Sequence, residues 1–148
     1  MHKKEIQNIQ DRILDLAPNR SGVYLKYCCS ELSRLIISWL ATDKSRRLYI
    51  LKAANVMGSD MSHDILAIKQ NDNITIIDPT IWQFFPKAKT ILVYEGTNLN
   101  SAQDALNEKY RCEWAIGSQE KIPSSKEQAE YLKITNSIIN ANLKETIL

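Results

Sequence analysis

Histidine and glycine are both scarce in this chain of 148 residues, which contains two histidines and four glycines. His2 lies on the N-terminal tail, so any imidazole chemistry depends on His63. The glycines form neither a P-loop nor a Gly-x-Gly-x-x-Gly motif, and so few of them are poorly suited to cradle a phosphate group. These absences exclude the common nucleotide-binding motifs and direct attention to the surroundings of His63.

Cysteine is also sparse: Cys28, Cys29 and Cys112 make an odd number and form no Cys-x-x-Cys pair. Adjacent cysteines are poorly placed to bind one tetrahedral zinc ion together, so we expect no structural metal. The three thiols are predicted to be free, as in a protein of a reducing compartment.

Neither charge nor hydropathy shows a strong bias. The formal net charge is +2 and the lysines and glutamates are dispersed, which predicts no nucleic-acid partner. No apolar run approaches the roughly 20 residues that cross a bilayer, so no membrane partner is expected. The N-terminus has lysines but lacks the apolar segment of a Sec signal peptide, which predicts a cytoplasmic protein or one delivered by a non-Sec route. The oligomeric state stays open.

Hydrophobic periodicity predicts one α+β domain over residues 1–148, with helices at both ends and an antiparallel sheet between them. The predicted helices are residues 5–16, 29–41, 101–110 and 125–145, with a break at 17–22. The predicted strands are residues 48–51, 64–69, 74–78 and 91–94. For the last helix we expect a serine cap, with Gln128 three residues after Ser125.

A hairpin between the second and third strands brings His63 close to an acidic residue. Side chains alternate across a strand, so a two-residue turn at Asn71-Asp72 pairs Gln70 with Asn73. His63 and Asp78, fifteen positions apart, then lie one diagonal step apart on the same face. An odd turn or a bulge would separate them. Asp64 should point to the opposite face, and Asp60 is an alternative partner.

A thiol lies at the predicted start of the second helix. With Cys28 as the N-cap, Cys29 is the first helical residue, where exposed amide groups and the helix dipole favour a thiolate and could form an oxyanion hole. We expect Cys29 to be the nucleophile, with Cys28 as the alternative. The structural interpretation is that both cysteines are small buried side chains.

Several aromatic residues surround these positions in the sequence. Trp39 lies on the apolar stripe of the second helix and is predicted to be core, whereas Trp114 supports no prediction. Trp82 is predicted to pack in the core, and the alternative is that it shields the site at Asp78 from water. The aromatic residues predicted to form core or pocket wall are Tyr27, Trp82, Phe84 and Phe85.

The order thiol, imidazole, carboxylate resembles the papain-like superfamily, and within it the transglutaminase-like and papain-fold toxin branch. Cys29 opening an apolar helix, His63-Asp64-Ile65-Leu66, and Ile77-Asp78-Pro79-Thr80 carry the resemblance, which covers roughly residues 22–85. The spacing of histidine and aspartate is similar to that in protein-glutamine deaminase toxin domains. Two departures exist: no glutamine precedes Cys29 near Val23, and no tryptophan follows it.

The resemblance implies a catalytic helix packed on a small antiparallel sheet, followed by a C-terminal helix. It implies a cysteine-dependent amidohydrolase with Cys29, His63 and Asp78 as catalytic triad. Deamidation of protein glutamine is the leading reaction, with proteolysis or transglutaminase-like acyl transfer as alternatives. The expected partner is a protein or peptide substrate, and no cofactor is needed. A non-catalytic α+β protein-binding module is the interpretation from another class.

Overall fold

A computed structural model describes residues 1–16 and 25–147, apart from the side chains of 145–147. The chain forms an α+β fold, as predicted, and its contacts divide into two compact units. The first unit comprises residues 1–41, 79–91 and 122–148, and the second comprises 42–78 and 92–121. The break predicted at residues 17–22 lies outside the described residues. None of the helices in the described part of the chain has the length and hydropathy needed to cross a membrane.

The first unit is helical. It consists of α1 (Lys3–Leu16), α2 (Cys29–Ile37), a short 3-10 turn (Ile81–Gln83) and α4 (Ser125–Ile147). Helix α2 packs against α4. Apolar residues at helical spacing form the core because they share one face of each helix. Fully buried core side chains include Ile9, Ile13, Leu25, Leu32, Ile36 and Trp82.

Helix α2 ends four residues earlier than predicted. The amide of Trp39 donates to the carbonyl of Ile36 at 2.8 Å, which is the tighter bonding of a 3-10 turn. Ser38 also donates its hydroxyl to the carbonyl of Leu35 at 2.6 Å. The prediction that Trp39 belongs to the core is wrong, since its side chain is half-buried and carries the guanidinium of Arg12 5.2 Å from the ring centroid.

Helix α4 begins at Ser125, as predicted, but its capping box starts one residue earlier than predicted. The hydroxyl of Ser124 accepts from the amide of Glu127 at 3.2 Å, and the Glu127 carboxylate accepts from the amide of Ser124 at 3.1 Å. The predicted pair, Ser125 with Gln128, is therefore wrong. Gln128 instead donates its side-chain amide to the carbonyl of Pro123 at 2.9 Å.

The second unit is a five-stranded antiparallel sheet with one helix. Strands β1 (Arg46–Ala53), β2 (His63–Gln70), β3 (Asn73–Asp78), β4 (Leu92–Gly96) and β5 (Trp114–Glu120) lie in the order β4-β3-β2-β1-β5. Helix α3 (Leu99–Tyr110) packs against β3, β4 and β5. A short 3-10 turn (Val56–Gly58) lies between β1 and β2.

The hairpin of β2 and β3 has the predicted register. Gln70 pairs with Asn73 around the two-residue turn, and Leu66 pairs with Ile77. Asn71 adopts a left-handed backbone with φ 53°, which asparagine tolerates better than most residues. Both strands are buried on both faces, so an uninterrupted apolar run, rather than strict alternation, is their sequence signature.

Strand β5 was not predicted. It lies at the edge of the sheet and most of its residues are exposed, so the alternation that marks a half-buried strand is missing. Gly117 is an extra residue in the pairing with β1, because Ile50 pairs with Ser118 and Leu51 with Ile116. This β-bulge further disrupts the strand pattern in the sequence.

Candidate functional site

The second unit brings His63 and Asp78 together. His63 is the first residue of β2 and Asp78 is the last residue of β3. Nε2 of His63 lies 2.9 Å from Oδ2 of Asp78, and both side chains are fully buried, with 0% of their surface exposed. The predicted diagonal placement of these two residues is therefore confirmed.

The other two acidic residues near His63 in the sequence do not take this place. Asp64 points away from His63, and its Oδ2 lies 3.1 Å from the ammonium of Lys52 on β1. Asp60 lies on an exposed bend between Val56–Gly58 and β2. Because neighbouring side chains alternate along a strand, Asp64 cannot share the face of His63.

Tyr110 is a third member of this cluster, and no sequence pattern indicates it. Tyr110 is the last residue of α3 and is fully buried. Its hydroxyl donates a hydrogen bond to Oδ2 of Asp78, the same oxygen that His63 engages. The ring centroids of Tyr110 and His63 lie 6.1 Å apart.

Trp114, the first residue of β5, encloses the cluster from another side. Its ring meets the His63 ring edge to face, with centroids 5.9 Å apart, and lies 5.2 Å from the ring of Tyr110. Side chains of helix α3 (Leu99–Tyr110) bind both polar atoms of the Trp114 backbone. Asn107 accepts from the Trp114 amide at 2.7 Å, and Gln103 donates to its carbonyl at 3.1 Å.

Burial governs the ionisation of Tyr110. Desolvation raises the pKa of its hydroxyl well above the ordinary range, and the charge of Asp78 raises it further. The phenol therefore stays protonated at any physiological pH. A protonated phenol can only donate to a carboxylate, so its bond to Asp78 persists whatever the protonation state of His63.

The candidate nucleophiles belong to the first unit, where Cys28 and Cys29 have different environments. Cys28 is the N-cap of α2 and is fully buried, and its thiol donates to the carbonyl of Leu25 at 2.9 Å. Burial raises the pKa of Cys28 to about 12, with smaller contributions from Cys29 and Glu31. Cys29 is the first residue of α2, as predicted, and is half-buried.

A tight turn precedes the two cysteines. The amide of Cys28 donates to the carbonyl of Leu25 at 3.3 Å, and the side chain of Gln83 donates to the same carbonyl at 2.9 Å. Tyr27 adopts a left-handed backbone with φ 72°, and 64% of its surface is exposed. The prediction of a core role for Tyr27 is therefore wrong, and its alternative role in a pocket wall stays a prediction.

The three aromatic residues that follow Asp78 most closely, Trp82, Phe84 and Phe85, lie in the first unit. Trp82 is buried and donates its indole N–H to the carbonyl of Ala88 at 2.7 Å, which fits its predicted core role. Phe84 and Phe85 are half-buried. Val23, near which the resemblance implies a glutamine that this chain lacks, lies outside the described residues.

Over residues 1–16 and 25–144, no group of three or more histidine, cysteine, aspartate or glutamate side chains is arranged to hold a metal ion. Cys112 is half-buried next to the end of α3, and burial raises the pKa of its thiol. The predicted site residues thus lie in two places: His63 and Asp78 form a buried cluster with Tyr110 in the second unit, and Cys29 is a half-buried thiol at a helix start in the first.

Comparison with protein-family models, curated proteins and solved structures finds no match to this chain.

Proposed function

We propose that the protein is a cysteine-dependent amidohydrolase in which Cys29 is the nucleophile, His63 the general base and Asp78 the group that orients the imidazole. The observation that carries the proposal is the buried contact of 2.9 Å between Nε2 of His63 and Oδ2 of Asp78. A carboxylate on one ring nitrogen fixes the tautomer and makes the other nitrogen the basic one. That arrangement is what a thiol nucleophile requires of its base.

The reaction follows from these roles. Nδ1 of His63 takes the proton from the Cys29 thiol, and the thiolate adds to the carbonyl carbon of an amide. The imidazolium then returns the proton to the leaving nitrogen, the carbon–nitrogen bond breaks and a thioester remains. Water, deprotonated by Nδ1, adds to the thioester and releases a carboxylic acid, which restores the thiol. Asp78 stabilises the imidazolium in both halves of the reaction.

The environment of the two cysteines supports Cys29 over Cys28. The Cys28 thiol is fully buried, donates to Leu25 and has its pKa raised to about 12, so almost none of it is thiolate at neutral pH. Cys29 is half-buried at the first position of a nine-residue helix. Amide groups in the first turn of a helix favour an anion at this position and suit the oxyanion of the tetrahedral intermediate.

The fold of the proposed enzyme is papain-like or transglutaminase-like, with α2 as the catalytic helix. Within that class we favour deamidation of protein glutamine, because the spacing from His63 to Asp78 is similar to that in protein-glutamine deaminase toxin domains. Proteolysis and acyl transfer to an amine use the same thioester and differ in the bond attacked or in the acceptor. The substrate in each case is a protein or peptide, and the reaction needs no cofactor.

Catalysis by this mechanism requires the sulfur of Cys29 to reach Nδ1 of His63, and thiol alkylation tests that requirement. A thiolate paired with an imidazolium reacts with iodoacetamide well below pH 7, whereas an ordinary thiol does not. We expect alkylation of Cys29 between pH 5 and 7 in the wild-type protein and its loss in His63→Gln. Cys112→Ala is the matched control and should leave the profile unchanged. A rate that rises only above pH 8 would contradict the proposal.

The reaction class is identified by the mass of the product. Candidate proteins incubated with the wild-type protein should gain about 1 Da for each glutamine deamidated, and fragments would identify proteolysis instead. Cys29→Ala should abolish the change, since no other group forms the thioester. Full activity of Cys29→Ala together with loss of activity in Cys28→Ala would assign the nucleophile to Cys28.

A non-catalytic protein-binding module is the second candidate, and one observation favours it. The side chains of His63 and Asp78 expose none of their surface, whereas a catalytic imidazole has to be reached by its substrate. A buried histidine–aspartate pair can instead serve stability. This candidate predicts thiols of ordinary reactivity and a His63→Gln protein that loses stability without any change in the alkylation profile.

A further inference from the structure

We propose that Tyr110 is a positioning residue for His63, acting through Asp78 to fix the imidazole and to lower its affinity for a proton. The inference rests on the proposed function for its catalytic consequence. Its physical basis is a set of contacts that exists whether or not the protein is an enzyme: the Tyr110 hydroxyl and the His63 ring both meet Oδ2 of Asp78.

Two donors on one carboxylate oxygen fix the carboxylate more firmly than one donor does. The terminal torsion of an aspartate has a broad energy minimum, so each hydrogen bond to its carboxylate narrows the range of rotation. The second bond, from the phenol of Tyr110, comes from a different element and so restrains the same oxygen from another direction. The orientation of the carboxylate in turn sets the plane of the imidazole ring.

The fold holds the Tyr110 hydroxyl in place by several contacts. Tyr110 ends α3, and the next residue, Arg111, turns the chain with a left-handed backbone at φ 52°. From α3, Asn107 and Gln103 bind the backbone of Trp114 in β5, which ties the helix to the far edge of the sheet. The helix end therefore cannot move away from β3 without breaking bonds to β5.

The phenol also changes the charge that His63 experiences. As a donor, Tyr110 draws negative charge from Oδ2 of Asp78, so the carboxylate stabilises an imidazolium less than it would alone. Tyr110 itself stays protonated because it is buried and lies next to Asp78. Among the groups that face His63 are Asp78 from β3, Tyr110 from α3 and the uncharged ring of Trp114 from β5.

Two further titratable groups are close to this cluster but do not carry the effect. Asp64, the strand neighbour of His63, pairs with Lys52 on the opposite face of β2. Cys112 acts on the ionisation of Tyr110, and burial raises its own pKa, so it stays a neutral thiol at physiological pH. The expected sign follows from the contacts of Tyr110 and His63 with Asp78: removal of the phenol should make His63 hold its proton to a higher pH.

Titration of the imidazole by NMR tests this directly, because the chain has two histidines and His2 is an internal reference. In Tyr110→Phe we expect the midpoint of the His63 titration to move to higher pH by about half a unit or more, with His2 unchanged. Tyr94→Phe, which removes the hydroxyl of a half-buried tyrosine on β4, is the matched control and should leave both midpoints in place.

A second variant keeps the test decisive if Tyr110→Phe does not fold. Replacement of Tyr110 by 3-fluorotyrosine keeps the ring and makes the phenol a stronger donor, so the His63 midpoint should move to lower pH. Opposite shifts in the two variants support the proposal. Two results would overturn the proposal and leave Tyr110 with a packing role. One is a His63 midpoint that is the same in the wild-type protein and in each variant that folds. The other is a His63 that does not titrate in any of these proteins.

The readout separates this inference from the proposed function. The titration needs no turnover, so it can succeed even if Cys29→Ala shows that the protein is not a hydrolase. Conversely, if the protein is an active enzyme and its His63 midpoint is unchanged in Tyr110→Phe, the proposed function stands and the inference is contradicted. Where turnover is measurable, the acid limb of kcat/KM in Tyr110→Phe should move with the NMR midpoint and in the same direction.

Discussion

Cys28 and Cys29 are adjacent in sequence and opposite in environment. The thiol of Cys28 is fully buried and donates to the carbonyl of Leu25 at 2.9 Å, whereas Cys29 is half-buried at the first position of α2. Adjacent residues at a helix start point about 100° apart around the helix axis, so one can enter the core while its neighbour meets solvent. The reactivity of the Cys-Cys pair should therefore reside in one sulfur.

Alkylation of the folded protein should distinguish the two sulfurs. At pH 7.5, we expect iodoacetamide to modify Cys29 and to leave Cys28 unmodified, because only a thiolate reacts and Cys28 is both inaccessible and protonated. Tandem mass spectrometry of the peptide that contains both residues locates the adduct. In urea both cysteines should react at similar rates. Preferential modification of Cys28 in the folded protein would contradict the described burial.

The buried thiol of Cys28 should make stability fall at alkaline pH. Its pKa is raised from about 9 in the unfolded chain to about 12 in the folded protein, so between these values the unfolded state binds fewer protons and is favoured as pH rises. The contribution is fully present below pH 9 and is lost as pH rises toward 12. Its maximal slope is about 1.4 kcal/mol per pH unit.

Urea unfolding at pH 7, 9 and 10 of the wild-type protein and of Cys28→Ala measures this effect. The alanine variant should be less stable at pH 7 by about 1–2 kcal/mol, because it loses buried volume. That difference should shrink by about 1 kcal/mol between pH 9 and 10, since alanine does not ionise. A difference that stays constant over this range would show that Cys28 ionises normally.

The hairpin and the His63–Asp78 contact could be predicted from sequence because they are local. A two-residue turn and a side-chain period of two fix which residues share a face, and both conditions hold within sixteen consecutive residues. The start of α2 at Cys29 could be predicted for the same reason, since the apolar periodicity begins there. These features need no knowledge of how distant elements meet.

Tyr110 and Trp114 could not be predicted because their roles depend on how α3 docks on the sheet. Tyr110 lies 32 residues from Asp78 in sequence, and nothing in its neighbourhood marks a residue that donates to a carboxylate. Strand β5 was missed because an exposed edge strand with a bulge at Gly117 lacks alternation. The cap of α4 was misplaced by one residue because Ser124 and Ser125 each satisfy the same short pattern.

Tyr27 should be replaceable by asparagine with a gain in stability. Its left-handed backbone, φ 72°, costs roughly 1–2 kcal/mol for a residue of this kind, and asparagine tolerates that conformation better. The exposed ring contributes little beyond its contact with the ammonium of Lys26, 4.9 Å from the ring centroid, which is worth roughly 0.5–1 kcal/mol. We expect Tyr27→Asn to raise the free energy of unfolding by about 0.5 kcal/mol. Lys26→Ala measures the cation–ring contact separately. If Tyr27→Asn lowered the free energy of unfolding by more than about 1 kcal/mol, the left-handed backbone of Tyr27 would not be strained.

Gly117 should resist substitution because of the side chain that lies across it. A Cβ atom at Gly117 would lie 2.6 Å from Cδ and 2.7 Å from Cγ of Lys52, so the whole stem of that lysine would have to move. The move would separate its ammonium from Asp64, a buried carboxylate 3.1 Å away. Gly117→Ala should therefore destabilise the protein by about 1–2 kcal/mol, measured by urea unfolding.

A double-mutant cycle separates this crowding from the intrinsic effect of glycine in a strand. In a Lys52→Ala background the clash is gone, and Gly117→Ala should then be neutral or stabilising by about 0.5 kcal/mol, because alanine loses less conformational entropy on folding. The sign of the effect thus reverses with the identity of residue 52. The two changes should couple by at least about 1 kcal/mol, as expected for residues in contact, whereas additive effects would mean that the lysine stem moves aside at no cost.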